Sequence, residues 1–404
     1  MFTRTLLPAL AAVGLANAQT ATICSQPTIT LASQADASAL ANCATISGAI
    51  VISPSASGTI SVDGPQQVVG GFSALNAGNL VTLGSTTITS IGGDFTLTNL
   101  TTLSTLSFGS LKSCKNIAWS ALPALPELTF AATVSKATSV VITNTFLSSL
   151  DGINLLTCET LDINNNNRLN TFSTQIANVT NQLTIDSNGV NLAVSFPNLM
   201  TVANATFKNA SSITVPSLST VSGSLGFYGT NMESVSAPNL TSIGGKTLGV
   251  DGGGLAFVGN AKLANISMPR LNQVSGAFQI ANNSALTAIS FPSLSKVGGA
   301  IDFSGNFSTP ELPALTQVSG GFNVQSTAQI DCSTFDQEKG TVILGANDKA
   351  YTCLTTADAQ AGVGSATTSG GSSSSTSKAA AASYGINEAV AGLSVVGGLL
   401  QMLL

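Results

Sequence analysis

Six segments of the form x-Pro-x-Leu recur down the second half of this chain, and they constrain its fold more tightly than any other feature. They are Phe196-Pro197-Asn198-Leu199, Val215-Pro216-Ser217-Leu218, Ala237-Pro238-Asn239-Leu240, Met268-Pro269-Arg270-Leu271, Phe291-Pro292-Ser293-Leu294 and Leu312-Pro313-Ala314-Leu315. The prolines lie 19, 22, 31, 23 and 21 residues apart. In five of the six the Leu is followed three residues later by Val or Ile, and then by Ser-Gly or Gly-Gly. A unit of about 22 residues cannot bury its own apolar face, so it must stack on its neighbours as a solenoid.

Within each repeat the Gly leads into a short alternating run, as in Gly276-Ala277-Phe278-Gln279-Ile280 and Gly299-Ala300-Ile301-Asp302-Phe303. Period-two alternation predicts a half-buried strand. An Asn usually follows (Asn260, Asn282, Asn306), and the Pro opens the next stretch, where a missing amide donor harms a ladder least. Each coil therefore reads as strand, turn, second short strand, turn. Upstream, Ile88-Thr89-Ser90-Ile91-Gly92-Gly93 repeats the start of the pattern, and Leu100, Leu103 and Leu106 keep a three-residue beat. The predicted fold is all-β, a single elongated β-solenoid of the parallel β-helix kind over residues 60–330. At that period it would have about a dozen coils.

The 31-residue spacing between Pro238 and Pro269 marks an insertion containing Lys246, Thr247 and Asp251. Insertions in solenoids emerge as loops on one face, and such loops often bind. This one is a candidate binding loop, with a featureless bulge as the alternative.

Both ends carry targeting patterns. Residues 1–18 read as a secretory signal, with Arg4, an apolar core and Ala16-Asn17-Ala18 as the cleavage site. Residues 19–59 are expected to cap the array, and residues 331–356 to close it. Residues 357–378 are rich in Ser, Thr, Gly and Ala, the composition of a stalk. Residues 379–404 end in an apolar tail and read as a glycosylphosphatidylinositol (GPI) attachment signal. The expected attachment residue is Ser375, with Ser377 and Ala379 as alternatives. A short tail-anchor helix is the competing reading.

Six cysteines in a secreted chain imply disulfides. Local pairing favours Cys24–Cys43 and Cys332–Cys353 as clasps at the ends, with Cys114–Cys158 bridging inner coils. Sequons begin at Asn99, Asn178, Asn204, Asn209, Asn239, Asn265, Asn282 and Asn306. Their number is what chance gives in so Ser/Thr-rich a chain, yet a secreted product would carry glycans on them.

Only 8% of residues are charged, and the formal net charge is −5. That argues against nucleic acid or an anionic membrane surface as a partner. With no His at all, Ser–His–Asp and Cys–His catalysis are excluded, and a metal site is not expected. Asp162, Asp186, Asp251 and Asp302 fall in or near strands, but none sits in an acid motif. Lys112, Lys115 and Arg168 have no acidic metal ligands beside them. Sugar-stacking aromatics are few: Trp119, Tyr228 and Tyr351. No cofactor is implied.

These features together resemble the fungal GPI-anchored cell-wall organisation proteins, whose coils are similar to the leucine-rich-repeat-like coils of receptor L domains. The resemblance rests on the [FVM]-P-x-L-x-x-V-x-G coils, the Asn-x-x-x-Leu-x-x-Ile spacing, the flanking cysteines, the Ser-rich stalk and the anchor signal. It implies a glycoprotein of the plasma membrane and cell wall with no established enzymatic activity, held by a GPI lipid and supporting wall organisation. Wall polysaccharide (β-glucan, chitin or mannan) is a candidate partner, and the ligand's identity is left open. A peptide- or sugar-binding signalling ectodomain is the first alternative, and a glycan-remodelling enzyme the second. The oligomeric state is left open.

Overall fold

The computed structural model describes residues 23–245, 252–345 and 350–355. The chain divides into two compact units, one ending at Thr174 and the other beginning at Gln175. The signal, stalk and anchor segments, with Ser375, Ser377 and Ala379, lie outside the described residues. So do Lys246, Thr247 and Asp251 of the candidate loop.

The first unit is a parallel β-solenoid. Its main ladder runs through β1 (Thr28–Leu31), β2 (Ala49–Ile52), β3 (Phe72–Leu75), β4 (Ser90–Thr98), β5 (Ser113–Leu122), β6 (Ser139–Thr145) and β7 (Thr157–Asn164). Every neighbouring pair is parallel, and the register shifts once, between Cys114 and Asn116 where β5 pairs with β4. Alternation sends Ile50, Phe72, Phe95, Ile117, Val140 and Leu161 inward, all fully or almost fully buried. Rings stack along the inside: Phe95 lies 5.5 Å from Phe72 and 5.5 Å from Trp119, edge to face in both cases. A second wall is formed by Ser57–Ser61, Asn79–Ser85, Thr105–Phe108 and Leu128–Thr129. The ladder already begins at Thr28, so the stretch 19–59, expected as a cap, contains two full rungs. The covering element is shorter: α1 (Gln34–Ser38), started by a capping box between Ser33 and Asp36, and the Cys24–Cys43 disulfide beside it.

The second unit repeats the architecture. Its main ladder contains β8 (Asn178–Asp186), β9 (Thr201–Lys208), β10 (Leu225–Tyr228), β11 (Leu255–Val258), β12 (Phe278–Ala281), β13 (Ile301–Gly305), β14 (Phe322–Ser326) and β15 (Tyr351–Thr355), all parallel. Short strands such as Gln273–Val274, Lys296–Val297 and Gln317–Val318 form a second wall. Ala193–Ser195 with Ser212–Thr214, and Ser234–Ser236 with Asn265–Ser267, form a third. Such coils have three short walls where two strands were expected, because the x-Pro-x-Leu segment is a corner and not the start of a strand. In all six copies the Leu amide donates to the carbonyl of the residue before Pro, at 3.1–3.3 Å. That is a β-turn with Pro in its favoured second position. Both residues at the ends of each turn are buried.

The unit closes on α2 (Ser333–Glu338), whose Phe335 packs 5.0 Å from Phe322, and on the Cys332–Cys353 disulfide. The third expected disulfide is not formed. Cys114 and Cys158 are free, buried thiols. A whole coil lies between them: the Cys114 amide donates to Lys136 O, and Cys158 Sγ lies 3.2 Å from Thr138 O. Two strand spacings, about 9.6 Å, exceed the roughly 7 Å Cα separation that a disulfide can bridge.

Coils pack closely at the Gly-Gly corners. A Cβ on Gly299 would lie 2.6 Å from Ala277 N of the preceding coil, so this corner accepts no side chain.

Candidate binding face

Residues that alternate away from the core in β8–β15 line up in columns at one residue per rung. Register alone puts Asp186, Lys208, Tyr228 and Val258 in one column. Thr206, Gly226, Ala256, Gln279, Asp302 and Asn323 form the column beside it. Parts of both columns are hydrogen-bonded from rung to rung. Gln279 Nε2 donates to Asp302 Oδ2 at 3.1 Å, Asn323 Nδ2 donates to Asp302 Oδ1 at 2.7 Å, and Gln325 Nε2 donates to Asn323 Oδ1 at 2.7 Å. In the neighbouring column Lys208 Nζ meets Asp186 Oδ2 at 2.9 Å, and Ser187 Oγ donates to Asp186 Oδ1 at 2.8 Å. The face is therefore a half-exposed lattice of amides and hydroxyls with its few charges already matched.

Tyr228 departs from the pattern. Its ring folds back along its own strand over Gly226, where a Cβ would lie 2.3 Å from ring atom Cε2. The hydroxyl is shielded from solvent and has no hydrogen-bond partner among the described residues. Burial pushes its pKa up to about 12.

The first unit carries a similar lattice on its outward face. Asn116 Nδ2 donates to Asp94 Oδ1 at 2.7 Å, and Asn164 Nδ2 donates to Asp162 Oδ1 at 2.8 Å. Arg168 lies over the Phe146 ring, 4.2 Å from its centroid. Lys112 and Lys115 are exposed.

The two candidate carboxylates described in the second unit do not converge. Asp186 and Asp302 share a face but stand five rungs apart, about 24 Å at the usual strand spacing. Glycoside hydrolysis needs its pair within about 9.5 Å. Among the described residues no group of acidic, Cys or His side chains is arranged to hold a metal. Trp119 is 1% exposed and belongs to the core. Tyr351 stacks on Phe322 and donates to Asp336 Oδ1 at 2.7 Å, so it is occupied in closing the end of its unit.

The sequons divide by exposure. Asn99, Asn209, Asn239, Asn265 and Asn282 are exposed, whereas Asn178, Asn204 and Asn306 are half-buried. Asn99, Asn209 and Asn282 occupy left-handed corners, with φ of 54–57°, at the ends of β4, β9 and β12. A depression of about 160 Å³ lined by Asn282, Asn283, Ser284 and Gly305 lies at one of these corners.

Sequence reasoning set Asp302 in an alternating strand but missed the Asp186–Lys208 pair, which only the register brings together. It also missed the Tyr228–Gly226 contact. The signal for that was present, since Gly226 and Tyr228 are two apart in a strand and so share a face.

Comparison with known proteins adds the rest. The family model of Ecm33, described as a GPI-anchored cell wall organization protein, matches residues 1–41. The protein ecm33 of Aspergillus fumigatus is 40% identical over 370 residues, covering 91% of this chain and 90% of its own length. A cell surface GPI-anchored protein of Arthroderma benhamiae is 36% identical, covering 85% of each chain. The cell surface GPI-anchored protein ECM33 of Candida albicans is 31% identical over 83% of this chain and 81% of its own. No solved structure matches.

Proposed function

The chain belongs to the Ecm33 family of GPI-anchored cell wall organization proteins, and from that membership we propose how it works: as a non-enzymatic, wall-binding surface glycoprotein. It supports cell-wall organisation from the outer face of the plasma membrane and the wall, held by a GPI lipid at Ser375, with Ser377 or Ala379 as alternatives. The outward lattice of the second unit engages neutral wall polysaccharide.

The observation that carries this reading is the column Gln279–Asp302–Asn323, in which both carboxylate oxygens are taken up by amides. Such a surface offers hydrogen-bond donors and acceptors on successive rungs from Gln279 to Asn323, with little charge. That suits long, uncharged, hydroxyl-rich chains and not nucleic acid or acidic peptides.

The test is genetic and chemical together. Cells lacking the chain are expected to become sensitive to wall-perturbing dyes. The full chain restores tolerance, whereas a version ending at residue 378 escapes into the medium and does not. Purified full-length protein incubated with β-glucan, chitin and mannan oligosaccharides is expected to release no new products. Appearance of shortened or transferred oligosaccharides would overturn the non-enzymatic reading.

A further inference from the structure

Three observations single out one place on the second unit. Tyr228 lies down on the sheet only because residue 226 is Gly, and any side chain there would collide with the ring. Its hydroxyl is buried without a partner, a state that folded proteins rarely leave uncompensated. One rung before it stands Lys208, paired with Asp186 two rungs before and hydrogen-bonded within a polar column that continues through Ser187. Beyond Gly226 on the other side come Ala256 and then the amide of Gln279.

We propose that Tyr228, on its Gly226 seat and beside Asp186 and Lys208, is the sugar-stacking subsite of this face, taking a hexopyranose unit of a β-linked wall glycan. An aromatic face carries partial negative charge and attracts the slightly positive C–H groups of a flat ring. A β-linked glucose or N-acetylglucosamine unit, with all its substituents equatorial, presents such a flat C–H face. Its hydroxyls then point sideways, toward the carboxylate of Asp186 and the ammonium of Lys208. Mannose, with its axial hydroxyl at C2, presents a less even face. Ala256 leaves the next rung low, so that the following sugar reaches Gln279 and the Asp302 column. The subsite rests on the polysaccharide reading above and deepens it.

The experiment uses the full chain purified in detergent and immobilised laminarihexaose, chitohexaose and α-linked mannohexaose. Saturable binding to one of the two β-linked probes is expected, stronger than to mannohexaose. Tyr228→Ala should weaken it about tenfold or more, as removal of a central aromatic anchor does. Gly226→Ala, which displaces the ring, should weaken it comparably, and Tyr228→Phe less. Circular dichroism reports whether each variant is folded; should Tyr228→Ala fail to fold, Lys208→Ala carries the same comparison. Equal binding by unaltered protein and the folded variants would overturn the subsite while leaving polysaccharide binding standing. Preference for mannohexaose would also overturn it. Absence of binding to all three probes would overturn the subsite and the polysaccharide reading together.

Discussion

Asn260 Nδ2 donates to Asn283 Oδ1 at 3.0 Å from one coil to the next, and both side chains are buried. The same Asn260 accepts from the Thr230 amide and hydroxyl at 2.9 and 2.7 Å, and donates to Phe227 O at 3.0 Å. One side chain thus satisfies backbone groups that a sharp corner would otherwise leave unpaired. Asn260→Leu removes these partners without relieving burial. At about 1–3 kcal/mol for each buried group stranded, it should lower the chemical-denaturation midpoint severely. Asn265→Leu, at an exposed position, is the control and should change little. Equal midpoints for the two variants would contradict the role given to the buried amides.

The Gly-Gly corners yield a second expectation. Gly299→Ala places a methyl group against the backbone of the preceding coil, where only a shift of both coils makes room. Overpacking of this kind typically costs about 1–3 kcal/mol. Gly109→Ala, at a site with nothing within 4 Å of the new methyl, should be close to neutral. Thermal unfolding of the two variants decides the point.

Much of this was legible in the residues because solenoids write their fold as a period. The x-Pro-x-Leu spacing, the inward Phe278, Ile301 and Phe322, and the two terminal disulfides all appear in the structure as the repeat requires. What failed were judgements that depend on counting rungs. Cys114 and Cys158 are 44 residues apart, which is two coils at the observed period, so they cannot touch. Asn260 and Asn282 look equivalent by spacing, yet Asn282 turns the corner in a left-handed conformation and Asn283 supplies the buried amide. A one-residue offset exchanges inside for outside. The proposed binding face was illegible for the same reason, since Asp186, Lys208 and Tyr228 become neighbours only once each rung is in register.

Glycan occupancy should follow exposure. An attached sugar needs clear space around the amide nitrogen, which Asn99, Asn209, Asn239, Asn265 and Asn282 have on the surface. Asn178 and Asn204 are half-buried on the outward sheet face, where Asn204 Oδ1 accepts from the Ser224 amide at 3.0 Å. Half-buried Asn306 accepts from Thr327 Oγ1 at 2.9 Å. Enzymatic deglycosylation in heavy-oxygen water followed by peptide mass spectrometry should label the first five and leave the other three unlabelled. A label at Asn204 would place a glycan on the proposed binding face and contradict its availability.

The two thiols offer a test of the register itself. Burial pushes the Cys114 thiol up to about 12 and, as the largest influence, the Cys158 thiol up to about 11, from an ordinary value of 9.0. Folding therefore favours the protonated form of both. That contribution is fully present below about pH 9 and is lost as pH rises through about 11 and 12, because ionisation then favours the unfolded chain. At pH 8 the native protein should not react with a thiol-specific disulfide reagent, since the reactive thiolate is both scarce and inaccessible. Denaturation without reductant should release two thiols per chain, at Cys114 and Cys158, while Cys24, Cys43, Cys332 and Cys353 stay oxidised. Release of none would mean that Cys114 and Cys158 are joined. The coil carrying Lys136 and Thr138 would then have to leave the space between them, and the parallel ladder from β5 to β7 would be wrong.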